Sequence, residues 1–322
     1  MFYLLAIALC LAVLFLALLS GSLLLLPAMP LARRMVRTAS PQRAANILLA
    51  AQLLPFVFAT AVTLGLALPA FLEFEPHSTN EGIGLRLDIL ALAGAMILSA
   101  MAFRGWHILR ATARTQRRWR EHSERICLEG TQIPAYCVED SPSLLAVAGF
   151  FRPRVFLARE IAETLSHPEL QAALAHEFAH VASFDNLKQL LLKMTNISFW
   201  LNPFRGGFAE WTTASEIAAD HNALAKGVSA LDLSSALIKV ARLRRPAINN
   251  AVASHLVPAC GSSLERRVTR LSELLQNDAQ VKAPSSGANR LLATIFLSVI
   301  VYVGLLPVLL PAVHEALEFL VR

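Results

Sequence analysis

Four stretches of the chain are apolar for long enough to cross a lipid bilayer, which takes about 20 residues in a helix. They are residues 2–26, 44–72, 85–103 and 291–313. The third is the shortest and holds Asp88 near one end, and the fourth has Pro307 and Pro311 near its far end. Prolines are tolerated in spanning helices, because neighbouring groups satisfy the freed backbone. The pattern predicts four transmembrane helices; a buried core helix is the alternative, above all for the third stretch.

Basic residues predict the orientation of these helices, since Lys and Arg collect in cytoplasmic loops. The loop after the first stretch is basic, the loop after the second is mostly acidic, and the segment after the third is rich in arginine. A signal peptide carries its basic residues before its apolar region, whereas here Arg33, Arg34 and Arg37 follow it. We therefore expect a retained first helix, both termini outside, and a cytoplasmic region at 104–290.

Composition changes this picture little. Apolar residues make up 55% of the chain and charged residues 16%, and the mean hydropathy is +0.52. This apolar content excludes an intrinsically disordered chain, because disordered chains are poor in apolar residues. Four cysteines are too few for the framework of a disulfide-built secreted protein, so that class is excluded as well. The arginines at 110–120 resemble a nucleic-acid patch, but their position beside an apolar stretch favours lipid headgroups. We expect the bilayer as a partner and no direct contact with nucleic acid.

The chain is predicted to have three parts: membrane helices in 1–103, one domain in 104–290, and a last helix with a short external tail in 291–322. The middle part is long enough for its own hydrophobic core. Within it, residues 135–138 and 154–157 are predicted strands, and the remainder is predicted to be helical.

A metal-binding helix is predicted from Ser166 onward, where Ser166 and Glu169 have the spacing of a capping box. It contains His176 and His180, which are four residues apart and so project from one side of the helix. Two neutral histidines in this arrangement can bind one Zn²⁺. Glu177 is turned about 100° from His176, beside the metal, where it can take a proton from water. This His-Glu-x-x-His motif predicts one zinc per chain.

Catalytic zinc usually has three protein ligands and leaves one position open. The downstream candidates are Glu210 and Glu216. Glu216 and Asp220 share one helix face, so Glu216 can bind the metal while Asp220 accepts the free N–H of a ligating histidine. Glu210 faces elsewhere, which favours Glu216. Two alternatives stay open: Asp220 as an ordinary surface charge, and a functional role for His221.

The segments between the motifs predict where the helices meet. Asp185 has the position of an N-cap for a helix that continues to Trp200. Gly206 and Gly207 predict a turn before the helix of Glu216, and Gly227 predicts its end.

These motifs resemble the BlaR/MecR-type membrane metallopeptidases, which are related to the HtpX and CAAX-prenyl-protease group of gluzincins. The resemblance rests on Ser141-Pro142, Gly149–Leu157, Leu165–His180, Asp185-Asn186, Asn202–Phe204 and Glu216–Asp220. It implies a mainly α protein of a bacterial cytoplasmic membrane, with four transmembrane helices. The resemblance further implies a cytoplasmic α+β, zincin-like domain inserted between the third and fourth helices. It also implies that His176, His180 and Glu216 bind zinc and that Glu177 is the general base.

The resemblance implies a signal-responsive zinc endopeptidase that cleaves itself or a cytoplasmic winged-helix repressor. Antibiotic-sensing members have a penicillin-binding domain after the fourth span. Here nine residues follow Val313 and no Ser-x-x-Lys motif exists, so we do not expect β-lactam sensing. Two alternatives remain, a quality-control protease of the HtpX type and a non-catalytic membrane transducer.

Overall fold

The fold is mainly helical, with one small sheet. The computed structural model describes residues 2–75, 84–128, 132–139, 145–196, 206–243, 253–255, 261–276, 305 and 308–318. Statements about structure below concern these residues.

Three helical segments in these ranges are long and apolar enough to cross a membrane. The first comprises α1 (Phe2–Leu25), a 3₁₀ turn (Leu26–Ala28) and α2 (Met29–Thr38). In the second, a π-helical turn (Thr63–Ala67) joins α3 (Pro41–Val62) to α4 (Leu68–Phe74), and the third is α5 (Leu85–Glu121). They correspond to the first three predicted stretches. The predicted fourth helix, 291–313, lies mostly outside the described residues, although 305 and 308–318 are helical.

Helices α1 and α5 approach each other closely at Gly94. A Cβ atom added there would overlap the carbonyl group of Leu11, so no side chain fits without moving a backbone. Small residues permit this kind of approach between membrane helices, where packing rather than water exclusion drives association. Gly94 therefore sets the separation of the two helices.

Helix α5 continues well beyond the predicted third span, which ends at residue 103. Its last five turns carry the arginine-rich segment, including Arg110, Arg117 and Arg120. Arginine is a good helix former, so the loss of apolar character at Arg104 marks a change of environment without ending the helix. The helix thus connects the membrane segment directly to the sheet, since β1 begins at Ser123.

Among the described residues, five strands form a sheet in the order β1-β2-β4-β3-β5. Their bounds are Ser123–Ile126 (β1), Ala135–Val138 (β2), Leu145–Ala148 (β3), Arg154–Ala158 (β4) and Ala253–His255 (β5). Strands β2 and β4 are parallel, and the other neighbouring pairs are antiparallel. The two predicted strands are confirmed as β2 and β4. The prediction that the remainder is helical is wrong at β1, β3 and β5. The four residues of β3 are all apolar and buried, a pattern that does not distinguish strand from helix.

The turn between β3 and β4 is held in place by α8 (Asp185–Thr195). Asn186 donates from its side-chain nitrogen to the carbonyl oxygens of Val147, at 3.0 Å, and Gly149, at 3.1 Å. Gly149 has φ +115°, and a Cβ atom there would lie 2.6 Å from the carbonyl oxygen of Arg152. This turn therefore requires glycine.

Helix α7 (His167–Ala182) follows the short α6 (Arg159–Thr164) and begins as predicted. The capping box is confirmed: Ser166 and Glu169 each accept the other's backbone N–H, with Ser166 N donating to Glu169 Oε2 at 2.7 Å. Glu169 also accepts from Ser235 and Lys239. The start of the helix is thereby fastened to α10 (Ala230–Leu243).

The predicted role of Asp185 as an N-cap is wrong. Phe184 occupies that position with φ 55°, and Asp185 is the first residue of α8. Its carboxylate accepts from the ring of His180, so it is not available for the helix terminus. The helix ends at Thr195, before the predicted Trp200, and the described residues resume at Gly206.

Helix α9 (Gly207–Ala225) lies between glycines with positive φ, Gly206 at +78° and Gly227 at +92°, in agreement with the predicted turn and end. Helix α11 spans Gly261–Gln276. Buried residues of the sheet, α7, α10 and α11 form one hydrophobic core, which includes Phe156 and Leu237.

Helix α9 also packs lengthwise against α3 of the second membrane segment. Gln52 donates to the carbonyl oxygen of Gly207 at 3.0 Å, and Asn222 donates to Gln42 Oε1 at 3.1 Å. Between these two bonds, Leu48 packs against Trp211 in a buried cluster. Helix α9, which carries Glu216, therefore packs against α3, which is part of the second membrane segment.

Candidate metal centre

Three predicted side chains converge between α7 and α9. The Nε2 atoms of His176 and His180 are 3.1 Å apart; Glu216 Oε2 lies 3.5 Å from the first, and Glu216 Oε1 lies 3.6 Å from the second. All three side chains are buried. In a tetrahedral zinc site with ligands at about 2.0–2.1 Å, neighbouring ligand atoms are about 3.3 Å apart. The spacing of these donors therefore fits a zinc ion.

Each histidine is oriented by a carboxylate on its other nitrogen. His176 Nδ1 lies 2.8 Å from Asp220 Oδ1, and His180 Nδ1 lies 2.7 Å from Asp185 Oδ2. A carboxylate that accepts a hydrogen bond from Nδ1–H keeps the proton on Nδ1 and so leaves a lone pair on Nε2. Two such lone pairs facing each other at 3.1 Å repel unless a cation lies between them. The hydrogen bonds of the histidines thus favour a metal ion at the same point.

The electrostatics of the site also favour a cation. Burial alone would lower the pKa of His180, but the carboxylates of Glu216, Asp185 and Glu177 raise that pKa to about 9. Burial would raise the pKa of Glu216, yet Arg267 and His180 hold it below its usual range. Both shifts favour positive charge at the point where the two Nε2 atoms meet, and the Glu216 carboxylate beside that point is held in its ionised form.

Glu177 follows His176 on α7 and is completely buried. Its charge acts on both His180 and Arg267, because the pKa of each is raised in part by this carboxylate. Glu177 does not belong to the group of ligand atoms formed by His176, His180 and Glu216. Because it follows His176 directly on α7, Glu177 lies beside that group.

Comparison with family models matches residues 23–271 to the BlaR1 peptidase M56 family. The matched range is well over half of the chain and includes every residue of the site described above. The chain belongs to the M56 peptidase family. M56 peptidases are metallopeptidases, so membership indicates a protease, and the apolar helices indicate a membrane protein. None of the curated proteins compared with this M56 chain is similar enough to be a relative.

The site of this M56 peptidase contains two residues that the sequence argument missed. The sequence predicts a helix cap at Asp185, although its place five residues after His180 also suits a hydrogen-bond partner of that histidine. Arg267 on α11 is fully buried and binds Glu216 and Asp220. No local motif marks Arg267, because it reaches the site from a helix that starts 41 residues after Asp220 in the chain.

Two residues that were weighed as site members lie elsewhere. The side chain of Glu210 is half-exposed and forms an ion pair with Arg33 at 3.5 Å. His221 is half-buried on α9 outside the group of ligand atoms, and burial and Arg270 lower its pKa. Of the two candidates, the structure brings Glu216 and not Glu210 together with the two histidines.

Proposed function

We propose that the protein is a zinc-dependent endopeptidase of the bacterial cytoplasmic membrane, in which His176, His180 and Glu216 hold one zinc ion. The observation that carries the proposal is the convergence of these three buried side chains at separations of 3.1–3.6 Å. Asp220 and Asp185 orient the two histidines. Family membership supports the peptidase activity, and the donor set of two imidazoles and one carboxylate supports zinc.

A bound zinc ion supplies a Lewis acid that polarises the peptide carbonyl and makes water more acidic. Glu177 acts as the general base: it accepts the proton of the attacking water and then donates it to the amine that leaves. Its complete burial keeps bulk water from competing for that proton. The histidines remain in one tautomer throughout, because each Nδ1 keeps its proton and donates it in a hydrogen bond, His176 to Asp220 and His180 to Asp185.

Replacement of Glu177 by Gln tests this assignment, because glutamine has nearly the same shape and cannot accept the proton. We expect turnover by the zinc-loaded protein to fall on the order of 10²–10⁴-fold, with zinc content unchanged. Glu163→Gln, an exposed position on α6, is the matched control and retains activity. Wild-type turnover by zinc-loaded Glu177→Gln contradicts the mechanism.

We further propose that the peptidase responds to a signal and that its substrate is a cytoplasmic winged-helix repressor or the chain itself. The contacts of α9 with α3 support this, because a displacement of α3 acts directly on the helix that carries Glu216. A housekeeping protease of the HtpX type is the alternative, and a non-catalytic transducer is disfavoured by the complete ligand set.

The two active alternatives differ in substrate selection. The purified protein, supplied with a winged-helix repressor encoded beside its gene, cleaves it at one site if the regulatory proposal holds. Degradation of unfolded membrane proteins with no cleavage of the repressor supports the quality-control alternative.

The alternation of basic and acidic loops supports a topology in which the peptidase region, 104–290, is cytoplasmic and both termini are outside. The fourth span at 291–313 belongs to this proposal. A reporter fused within residues 110–120 is expected to behave as cytoplasmic, and one fused at Thr79 as external. The reverse pattern overturns the proposed orientation.

A further inference from the structure

Arg267 is the largest fully buried side chain in the described part of the protein. Burial of a guanidinium costs several kcal/mol unless its charge and its donors are satisfied. The Arg267 guanidinium contacts Glu216 and His176 of the candidate metal centre. It reaches them from α11, whose described residues contribute no ligand atom.

The guanidinium joins two carboxylates of α9. It binds Asp220 through two bonds, Nε to Oδ2 at 2.8 Å and Nη2 to Oδ1 at 2.6 Å, and it donates from Nη1 to Glu216 Oε2 at 2.8 Å. Nη2 also lies 3.4 Å from both ring nitrogens of His176. A single planar cation therefore touches a ligand carboxylate, the partner of a ligand histidine, and that histidine.

We propose that Arg267 is a positioning residue of the metal centre, which fixes the carboxylates of Glu216 and Asp220 relative to the two histidines. The inference rests on the proposed zinc site. Glu216 and Asp220 are one helical turn apart and both are buried, so without a cation between them they repel each other. Arg267 occupies Glu216 Oε2 and leaves Oε1, the oxygen nearer His180, available to the metal.

The same contacts fix the tautomer of His176. Asp220 Oδ1 receives both Arg267 and His176 Nδ1, at 2.6 and 2.8 Å. Because the guanidinium holds Asp220 through two parallel bonds, the carboxylate cannot rotate away from the imidazole. A lysine at this position retains the charge but cannot bind three oxygens in one plane.

A role of Arg267 through its charge alone and a role in positioning the carboxylates predict opposite effects of its loss on metal binding. A cation 2.8 Å from a ligand carboxylate repels a metal ion, so loss of the charge by itself strengthens zinc binding. Loss of positioning weakens it, as removal of the partners of metal ligands does, by about 10–100-fold. The direction of the change therefore distinguishes the two.

The experiment measures the zinc dissociation constant of the full-length protein in detergent by competition with a chelator. We expect Arg267→Met to bind zinc about 10–100-fold more weakly than wild type, and Arg267→Lys to fall between them. Arg266→Met, at the exposed neighbouring position, is the control and binds as wild type does. Equal or tighter binding by Arg267→Met overturns the proposal, and so does full rescue by Arg267→Lys.

Two further measurements separate positioning from general stability. The visible spectrum of the Co²⁺-loaded protein reports ligand geometry, and we expect it to change in Arg267→Met and Arg267→Lys but not in Arg266→Met. In a double-mutant cycle with Asp220→Asn, we expect the effects on zinc affinity to be non-additive, because both residues act on His176. Additive effects with an unchanged spectrum contradict the proposal.

The outcomes for the metal site and for Arg267 are distinguishable. If wild type binds no zinc, the metallopeptidase proposal and this one both fall. If wild type binds zinc and Arg267→Met binds it equally well, only the role of Arg267 is refuted. If Arg267→Met does not fold, Arg267→Lys gives the same test, since it keeps the buried charge.

Discussion

Asp185 gives a quantitative test of how the centre holds its metal. Its Oδ2 lies 2.7 Å from His180 Nδ1, and both side chains are buried. Replacement by Ala removes the acceptor, so that His180 loses the partner that keeps its proton on Nδ1 and its Nε2 lone pair toward the metal. Replacement by Asn keeps an acceptor of the same shape but removes the charge.

Two independent arguments give the size of the effect. A hydrogen bond to a charged group contributes about 1.5–3 kcal/mol. Loss of a partner of a ligating histidine costs about 10–100-fold in metal affinity, and tenfold corresponds to about 1.4 kcal/mol. The two arguments therefore give about the same loss of zinc-binding free energy for Asp185→Ala. Neutral hydrogen bonds are about half as strong as charge-assisted ones, so Asp185→Asn is expected to lose roughly half of this free energy.

The assay is the zinc dissociation constant of each full-length variant, with Glu163→Ala as an exposed control. We expect affinity to decrease in the order wild type, Asp185→Asn, Asp185→Ala, with the fold unchanged by circular dichroism. A dissociation constant for Asp185→Ala within about twofold of wild type, far below the expected 10–100-fold change, refutes the reasoning.

Two further predictions concern stability. Gly94→Ala is expected to lower the thermal unfolding midpoint more than Gly105→Ala, because the added Cβ meets backbone of Leu11 in the first case and the flexible side chain of Met194 in the second; equal shifts contradict this. Burial alone would raise the pKa of Glu169, but hydrogen bonds from Lys239, Ser235 and Ser166 lower it to about 2. Its stabilising contribution is therefore complete above its usual pKa of 4.5 and is lost as pH falls toward about 2. Wild type should unfold at higher temperature than Glu169→Gln at pH 6, and the difference should shrink at pH 3; a difference independent of pH refutes the assignment.

The sequence predicted the parts of the fold that rest on long or local patterns. Apolar length located three membrane helices, and the capping box of Ser166 and Glu169 located the start of α7. Short apolar strands such as β3 have no distinguishing period, so they were missed. The helix after His180 begins differently from the expectation, because the carboxylate of Asp185 has a stronger partner in the imidazole of His180 than in a backbone N–H.

The candidate site also divides into residues that the sequence pattern indicates and residues that only tertiary packing brings to the site. His176, Glu177 and His180 are linked by helix geometry, and Glu216 and Asp220 by the same spacing on a second helix, so simple periodicity indicated all five. The meeting of the two helices and the approach of α11 depend on tertiary packing. Arg267 reaches Asp220 across 47 residues of chain, and no spacing in the sequence encodes that contact.

The most direct test of the account is the zinc content of the purified full-length protein. His176→Ala removes one of the three converging side chains, and His167→Ala removes an exposed histidine of the same helix as a matched control. The account predicts one zinc per chain in wild type and His167→Ala, and little or none in His176→Ala. A full complement of zinc in His176→Ala, or none in wild type, contradicts the proposed centre.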